Sequence, residues 1–233
     1  MANQGTLIPY PPGSYFPAAD QHIYARMDAE EGPMRAKVGE SRFLYTCALA
    51  TCVGIAISGT YSPESVTDPK ATRHDRFMGH HSELYFEDLY PKLRDQVEAA
   101  KKVGLQDLQV HVVTCEPTSL GPRWGQAQVV NSRAAQWGLM RHLRTLVGSD
   151  ITSDDQPRIH WYPYNYDDHQ QAAMALFADR SVIAEQETED WGPNFRRWPL
   201  QEKQWRDTAP SAPAAAKSQP ESATGAGDSK EAA

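Results

Sequence analysis

The sequence predicts a layered α/β fold, an α+β arrangement in which a mixed β-sheet packs with two main helices. Three observations carry that prediction. Short apolar runs rich in β-branched residues alternate with stretches of helical spacing. Glycines and prolines punctuate the boundaries between them. A chain of 233 residues with 40% hydrophobic residues and six tryptophans has enough apolar material for one core.

The strand and helix signals fall between two atypical ends. Residues 1–38 read as an extended arm, because Pro9, Pro11, Pro12, Pro17 and Pro33 lie among aromatic residues and disfavour a helix or a sheet interior. Tyr10, Tyr15, Phe16 and Tyr24 are positioned to pin that arm to the body. Residues 39–206 form the α/β domain. Residues 207–233 contain no Val, Ile, Leu, Met or aromatic residue and cannot offset ordering entropy by burial, which predicts a disordered tail.

Within the domain, Phe43–Thr46 and Val53–Ile57 read as strands, the second an apolar run ending at Ser58-Gly59. A polar excursion over 60–75 precedes a returning strand at Arg76–Ser82. Leu84, Leu89, Leu93, Val97 and Ala100 recur at steps of three to five, which predicts a helix over 84–103 with Gly104 as its cap. Leu108 to Val113 is a β-branched strand, and Gly121, Pro122 and Gly125 predict a loop after it. A second helix spans 127–147, with Val129, Ala134, Trp137, Met140, Leu143 and Leu146 on its apolar stripe. Arg158–Tyr162 and Arg180–Ala184 read as strands, with a short helix around His169–Phe177 between them. Trp191, Trp198 and Trp205 recur every seven residues and predict a C-terminal segment laid across the body.

Charge and composition narrow the function. A net charge of -7 gives no basic field for nucleic acid or anionic lipid, so those partners are not expected. Neither a signal-like start nor a run of about 18 apolar residues is present, so a cytoplasmic protein without a membrane span is expected. Cys47, Cys52 and Cys115 are an odd set without the spacing of a disulfide scaffold, and read as thiols. Nothing calls for a cofactor or a metal, and Asp154-Asp155 and Asp167-Asp168 lack calcium-loop spacing. Oligomeric state is not legible.

Chemistry concentrates at Thr46, Cys52 and the His80-His81 pair. A cysteine just ahead of a buried strand can present its sulfur at a sheet edge, where a histidine on a neighbouring strand draws off the proton and leaves a thiolate. Taken alone, Cys52 reads as a small buried side chain, since cysteine is among the most buried residue types. Adjacent strand residues point to opposite faces, so at most one of His80 and His81 can meet Cys52.

The order Thr46, then Thr51-Cys52-Val53, then the buried strand to Ile57, then Gly79-His80 resembles the CheD chemoreceptor glutamine deamidases. Their fold is shared with the catalytic domain of cytotoxic necrotizing factor. The resemblance covers roughly residues 42–148 and extends to the downstream helix, strand, Leu120-Gly121 loop and second helix. Ala48-Leu49-Ala50 replaces the family's glycine-rich turn, and Thr114-Cys115-Glu116 its downstream glycine pair. The resemblance implies a sandwich fold, Cys52 as nucleophile, His80 as general base and Thr46 as the group orienting the imidazole. The implied reaction is deamidation of glutamine side chains on a protein partner. A catalytically silent, CheD-like interaction domain is the alternative. A third reading resembles the YfiH-type zinc proteins acting on purine nucleosides, with ligands drawn from Cys52, His80 or His81, and Cys115 or His111. That family's aspartate before the cysteine is Thr51 here.

Overall fold

The computed structural model describes residues 24–27, 33–82, 86–148, 158–166, 170–188, 197–203 and 205. Most of the predicted arm, the predicted tail, Trp191 and the loop carboxylates at 154–155 and 167–168 lie outside the described residues. So do Leu84 and the side chains of Leu89 and Trp124.

The elements run β1 (Tyr24–Met27), β2 (Met34–Lys37), β3 (Phe43–Leu49), β4 (Cys52–Thr60), β5 (His74–Ser82), α1 (Phe86–Lys102) and β6 (Gln106–Cys115). They continue with α2 (Pro117–Val147), β7 (Ile159–Tyr164), β8 (Gln170–Leu176), β9 (Val182–Thr188) and β10 (Arg197–Pro199). The layered α/β architecture holds, with a second sheet added to the one predicted. One sheet has the order β1-β3-β8-β9-β10 and the other β2-β5-β4-β6-β7. Both are mixed, with β1–β3 and β6–β7 as parallel pairs.

Alternation along the strands sorts side chains between two cores. Val53, Ile55, Ile57, Phe77, Val110 and Val112 face the helices and pack with Leu93, Val97, Leu139, Met140 and Leu143. Both helices therefore lay their apolar stripes on the same sheet, as predicted. The alternate residues Ala56, Met78, Val113 and Cys115 face the other sheet and pack with Leu44, Leu49, Ala172, Met174 and Leu176. The small residues at Ala56 and Ala172 suit the close approach of two sheets.

The α1 terminus follows the sequence. Gly104, at φ 107°, ends the helix with its own N–H on the Lys101 carbonyl and the Leu105 N–H on the Ala100 carbonyl, a Schellman cap. A Cβ at Gly104 would collide with the Ser65 carbonyl, which fixes the polar excursion against the helix end.

Two expectations are corrected. The loop predicted over Gly121, Pro122 and Gly125 is helical from Pro117, and only Gly125, at φ 81° and ψ 170°, breaks the helix. Pro117 at the first helical position has no N–H to leave unsatisfied and starts the turn early. The helix predicted around His169–Phe177 is strand β8, hydrogen-bonded between β3 and β9 with Ala172 to Leu176 buried on both faces. The helix propensity of Gln, Ala and Met is overridden there by burial between two neighbouring strands. The described parts of the arm are strands β1 and β2, and each pairs along a strand of the body, Tyr24 with Phe43 and Met34 with Met78.

The C-terminal segment crosses from one sheet to the other. β10 pairs with β9, Lys203 bridges to Trp161 of β7, and the Trp205 ring stands edge-on to Trp161 with centroids 4.9 Å apart. That agrees with the tryptophan spacing for Trp198 and Trp205.

Candidate active site

The site is built where β3 of one sheet faces β4 and β5 of the other. Gly54 of β4 stands opposite His80 of β5, and Cys52 stands opposite Ser82. Cys52 and His80 are therefore diagonal neighbours on adjacent strands and share a face, an arrangement within reach of a long side chain. That face is the inter-sheet face, since Ala56 and Met78 on the same alternation belong to the core between the sheets.

Thr46 reaches the same place from the opposite sheet. Its hydroxyl lies 2.8 Å from His80 Nδ1, with both residues buried. Gly54 lines this approach from β4: a Cβ there would sit 2.9 Å from Leu49 Cδ1 and in ordinary contact, at 3.8 Å, with Thr46 Cγ2. A larger residue at position 54 would first displace the Leu49 side chain.

His81 points the other way, toward the helix layer, on the alternation of Val53 and Phe77. Its ring folds over Gly79, where a Cβ would collide with Nε2. Burial, and secondarily the charge of His80, lowers the His81 pKa to about 4, so this imidazole is neutral at physiological pH. The structure thus brings together Thr46 and His80, places Cys52 at a diagonal position on the same face, and separates His81.

The three cysteines occupy different environments, and none is in a disulfide. Cys47 is buried on the outer face of its sheet with Phe43, Tyr45 and Ala173. Cys115 is buried between the sheets, its sulfur 3.5 Å from Ser119 Oγ and 3.7 Å from the Glu116 carbonyl oxygen. Cys52 alone is only partly buried.

The approach to Cys52 is held by residues that carried no catalytic signal in the sequence. β3 passes to β4 through a tight turn in which Ala48 takes φ 60° and the Ala50 N–H bonds to the Ala48 carbonyl. Tyr164, almost fully buried, spans to that turn and donates its hydroxyl to the Ala50 carbonyl at 2.7 Å and to the Cys52 carbonyl at 3.3 Å. Gln136 of α2 donates to the Cys115 carbonyl at 2.7 Å. Tyr164 thereby anchors the β3–β4 turn beside the nucleophile candidate. Gln136 had no sequence signal, because a single polar residue on a helix is ordinarily solvated.

No family model matches the chain, and no curated protein matches it either. The site is therefore interpreted from its own geometry.

The zinc ligand set considered from the sequence does not converge. Among the described residues, no three His, Cys, Asp or Glu side chains gather as a metal centre requires. His81 lies on the far face of its strand. His111 stands opposite Ala56, with its Nδ1 3.2 Å from the Tyr162 hydroxyl and its ring stacked on His160 at 4.4 Å. Burial, then the His160 charge, lowers the His111 pKa to about 3. His160 in turn meets Glu202 at 3.0 Å and Gln109 at 3.1 Å.

Proposed function

We propose that the protein is a thiol amidohydrolase that deamidates glutamine side chains of a protein partner, with Cys52 as nucleophile, His80 as general base and Thr46 as the residue that orients the imidazole. The single observation carrying this reading is the 2.8 Å contact between Thr46 and His80 Nδ1 on the face that Cys52 shares. The resemblance of the Thr46, Cys52 and His80 order to the CheD deamidases points to the same reaction.

In this reading Thr46 Oγ1 accepts the His80 Nδ1–H, which leaves Nε2 with its lone pair as the base. Nε2 takes the Cys52 proton and the thiolate attacks the amide carbon. The resulting oxyanion is met by backbone N–H groups of the Thr51–Val53 turn. His80 returns the proton to the departing nitrogen, ammonia leaves and a thioester remains. Water, deprotonated by His80, then attacks the thioester carbonyl, so that a glutamate side chain and the Cys52 thiol are released.

Iodoacetamide at mildly acidic pH tests the nucleophile. A paired histidine draws a thiol from its ordinary pKa of about 8.5 toward neutrality. Cys52 is expected to label before Cys47 and Cys115, and His80→Ala to slow it more than His81→Ala. Ammonia release from a pool of glutamine-containing peptides should vanish in Cys52→Ala. Equal, slow labelling of all three thiols, indifferent to either histidine change, would leave a CheD-like interaction domain in its place.

A further inference from the structure

Cys52 and Cys115 are distant in sequence, yet they lie on neighbouring strands of one sheet. β4 and β6 run antiparallel with Ala56 opposite His111, Ile55 opposite Val112 and Gly54 opposite Val113. Continued by two residues, that register puts Cys52 opposite Cys115. Both belong to the inter-sheet core, where Cys52 packs against the cluster containing Cys115. Tyr164 marks the same neighbourhood: it stands beside Cys115 in the β6–β7 register and donates to the Cys52 carbonyl. Directly opposed residues of antiparallel strands have Cα atoms about 4.5–5.5 Å apart, within the window of roughly 4.4–6.8 Å that a disulfide needs.

The two thiols differ in access. Cys52 is partly exposed, whereas Cys115 is buried, with Ser119 Oγ at 3.5 Å. An accessible thiol near a buried one is the arrangement of a peroxide-reacting cysteine and its resolving partner.

We propose that Cys52 and Cys115 form a reversible, peroxide-sensitive dithiol. The Cys52 thiolate attacks one oxygen of hydrogen peroxide and the O–O bond breaks. The departing hydroxide takes up a proton as water, so the peroxide is reduced and Cys52 is oxidised to a sulfenic acid. Cys115 sulfur then attacks Cys52 sulfur, the S–O bond breaks, and the hydroxide leaves as water with the Cys115 proton. The product is the Cys52–Cys115 disulfide. A dithiol reductant reverses it by exchange, becoming a disulfide itself while both cysteines return to thiols. Cys115 thereby guards Cys52 against irreversible oxidation to the sulfinic acid. The inference needs only the two thiols and stands apart from the deamidase reading. Where both hold, the disulfide is the inactive state of the site.

The full chain treated with hydrogen peroxide tests this by intact mass and peptide mapping. It should lose the mass of two hydrogen atoms and yield a Cys52 peptide linked to a Cys115 peptide. Iodoacetamide labelling of Cys52 should fall by about tenfold or more and return with dithiothreitol. Cys47→Ala should behave as the parent does. In Cys115→Ala, dimedone should trap Cys52 as the sulfenic acid, and prolonged peroxide should abolish labelling beyond rescue. Cys115→Ser, checked for native near-ultraviolet circular dichroism, repeats the test should the alanine variant fold poorly. A parent chain whose Cys52 passes to the sulfinic acid while Cys115 remains an alkylatable thiol would overturn the proposal. A crosslink from Cys52 to Cys47 or to a second chain would do so as well. Loss of ammonia release in Cys52→Ala bears on the deamidase reading alone.

Discussion

Thr46 and His80 belong to different sheets, yet their side chains meet at 2.8 Å inside the sandwich. The contact couples the orientation of the imidazole to the packing of one sheet on the other. Thr46→Val keeps the shape and removes the hydroxyl. Thr46→Val is expected to slow Cys52 alkylation roughly tenfold while costing about 1 kcal/mol of stability. Thr46→Ser should restore the rate, and a serine variant as slow as the valine one would show that the hydroxyl does not act on the ring.

Gly54 offers a second handle on the same contact. Gly54→Ala places a methyl 2.9 Å from Leu49 Cδ1, so the Leu49 side chain or β3 must give way. Overpacking of this kind costs about 1–3 kcal/mol. Urea denaturation should register that cost, and Cys52 alkylation should slow to the extent that β3 moves Thr46 relative to His80. A stable variant with unchanged alkylation would mean that the sheets yield there without disturbing the dyad.

Arg76 is 1% exposed and holds the β2–β3 connection. Its guanidinium donates to the Arg42 carbonyl at 2.6 Å and to the Glu40 carbonyl, and it reaches Asp75 at 3.4 Å. Arg76→Ala removes all of these at once and leaves part-buried carbonyls without their donor, for an expected loss of about 3 kcal/mol. Arg76→Lys should recover little, because an ammonium cannot span two carbonyls as the planar fork does. Chemical denaturation of the two variants provides the comparison.

Acid sensitivity follows from the buried histidines. His81 and His111 have pKa values lowered to about 4 and about 3, chiefly by burial. An unfolded histidine titrates near 6.5, so between that value and the folded pKa the unfolded chain binds more protons. Their contribution to stability is therefore complete above about pH 6.5 and is lost as the pH falls toward 4, by roughly 3 kcal/mol for each group. His81→Gln should flatten part of that decline in the urea midpoint measured across this range. An unchanged slope would show that His81 is not buried as a neutral ring.

Much of this molecule is legible before it is folded. Local periodicity located both helices and most strands, and Gly104 announced the end of α1 because only a residue tolerant of positive φ fits there. Alternation alone predicted that His80 and His81 would diverge. The β8 segment escaped this reasoning because Gln170–Leu176 is sequence-compatible with a helix, and only the pairing with β3 and β9 makes it a strand.

What the sequence determined by itself is the set of local elements and the residue types that could do thiol chemistry, since backbone propensity and side-chain period are local properties. Which of those residues meet was decided by the tertiary structure. Sheet register set Cys52 diagonal to His80 and placed it against the core that holds Cys115, and the stacking of the two sheets delivered Thr46 to His80. Tyr164 and Gln136 joined the site through side-chain reach across strands and from a helix. Such contacts depend on where distant segments pack, and no window of neighbouring residues contains that information.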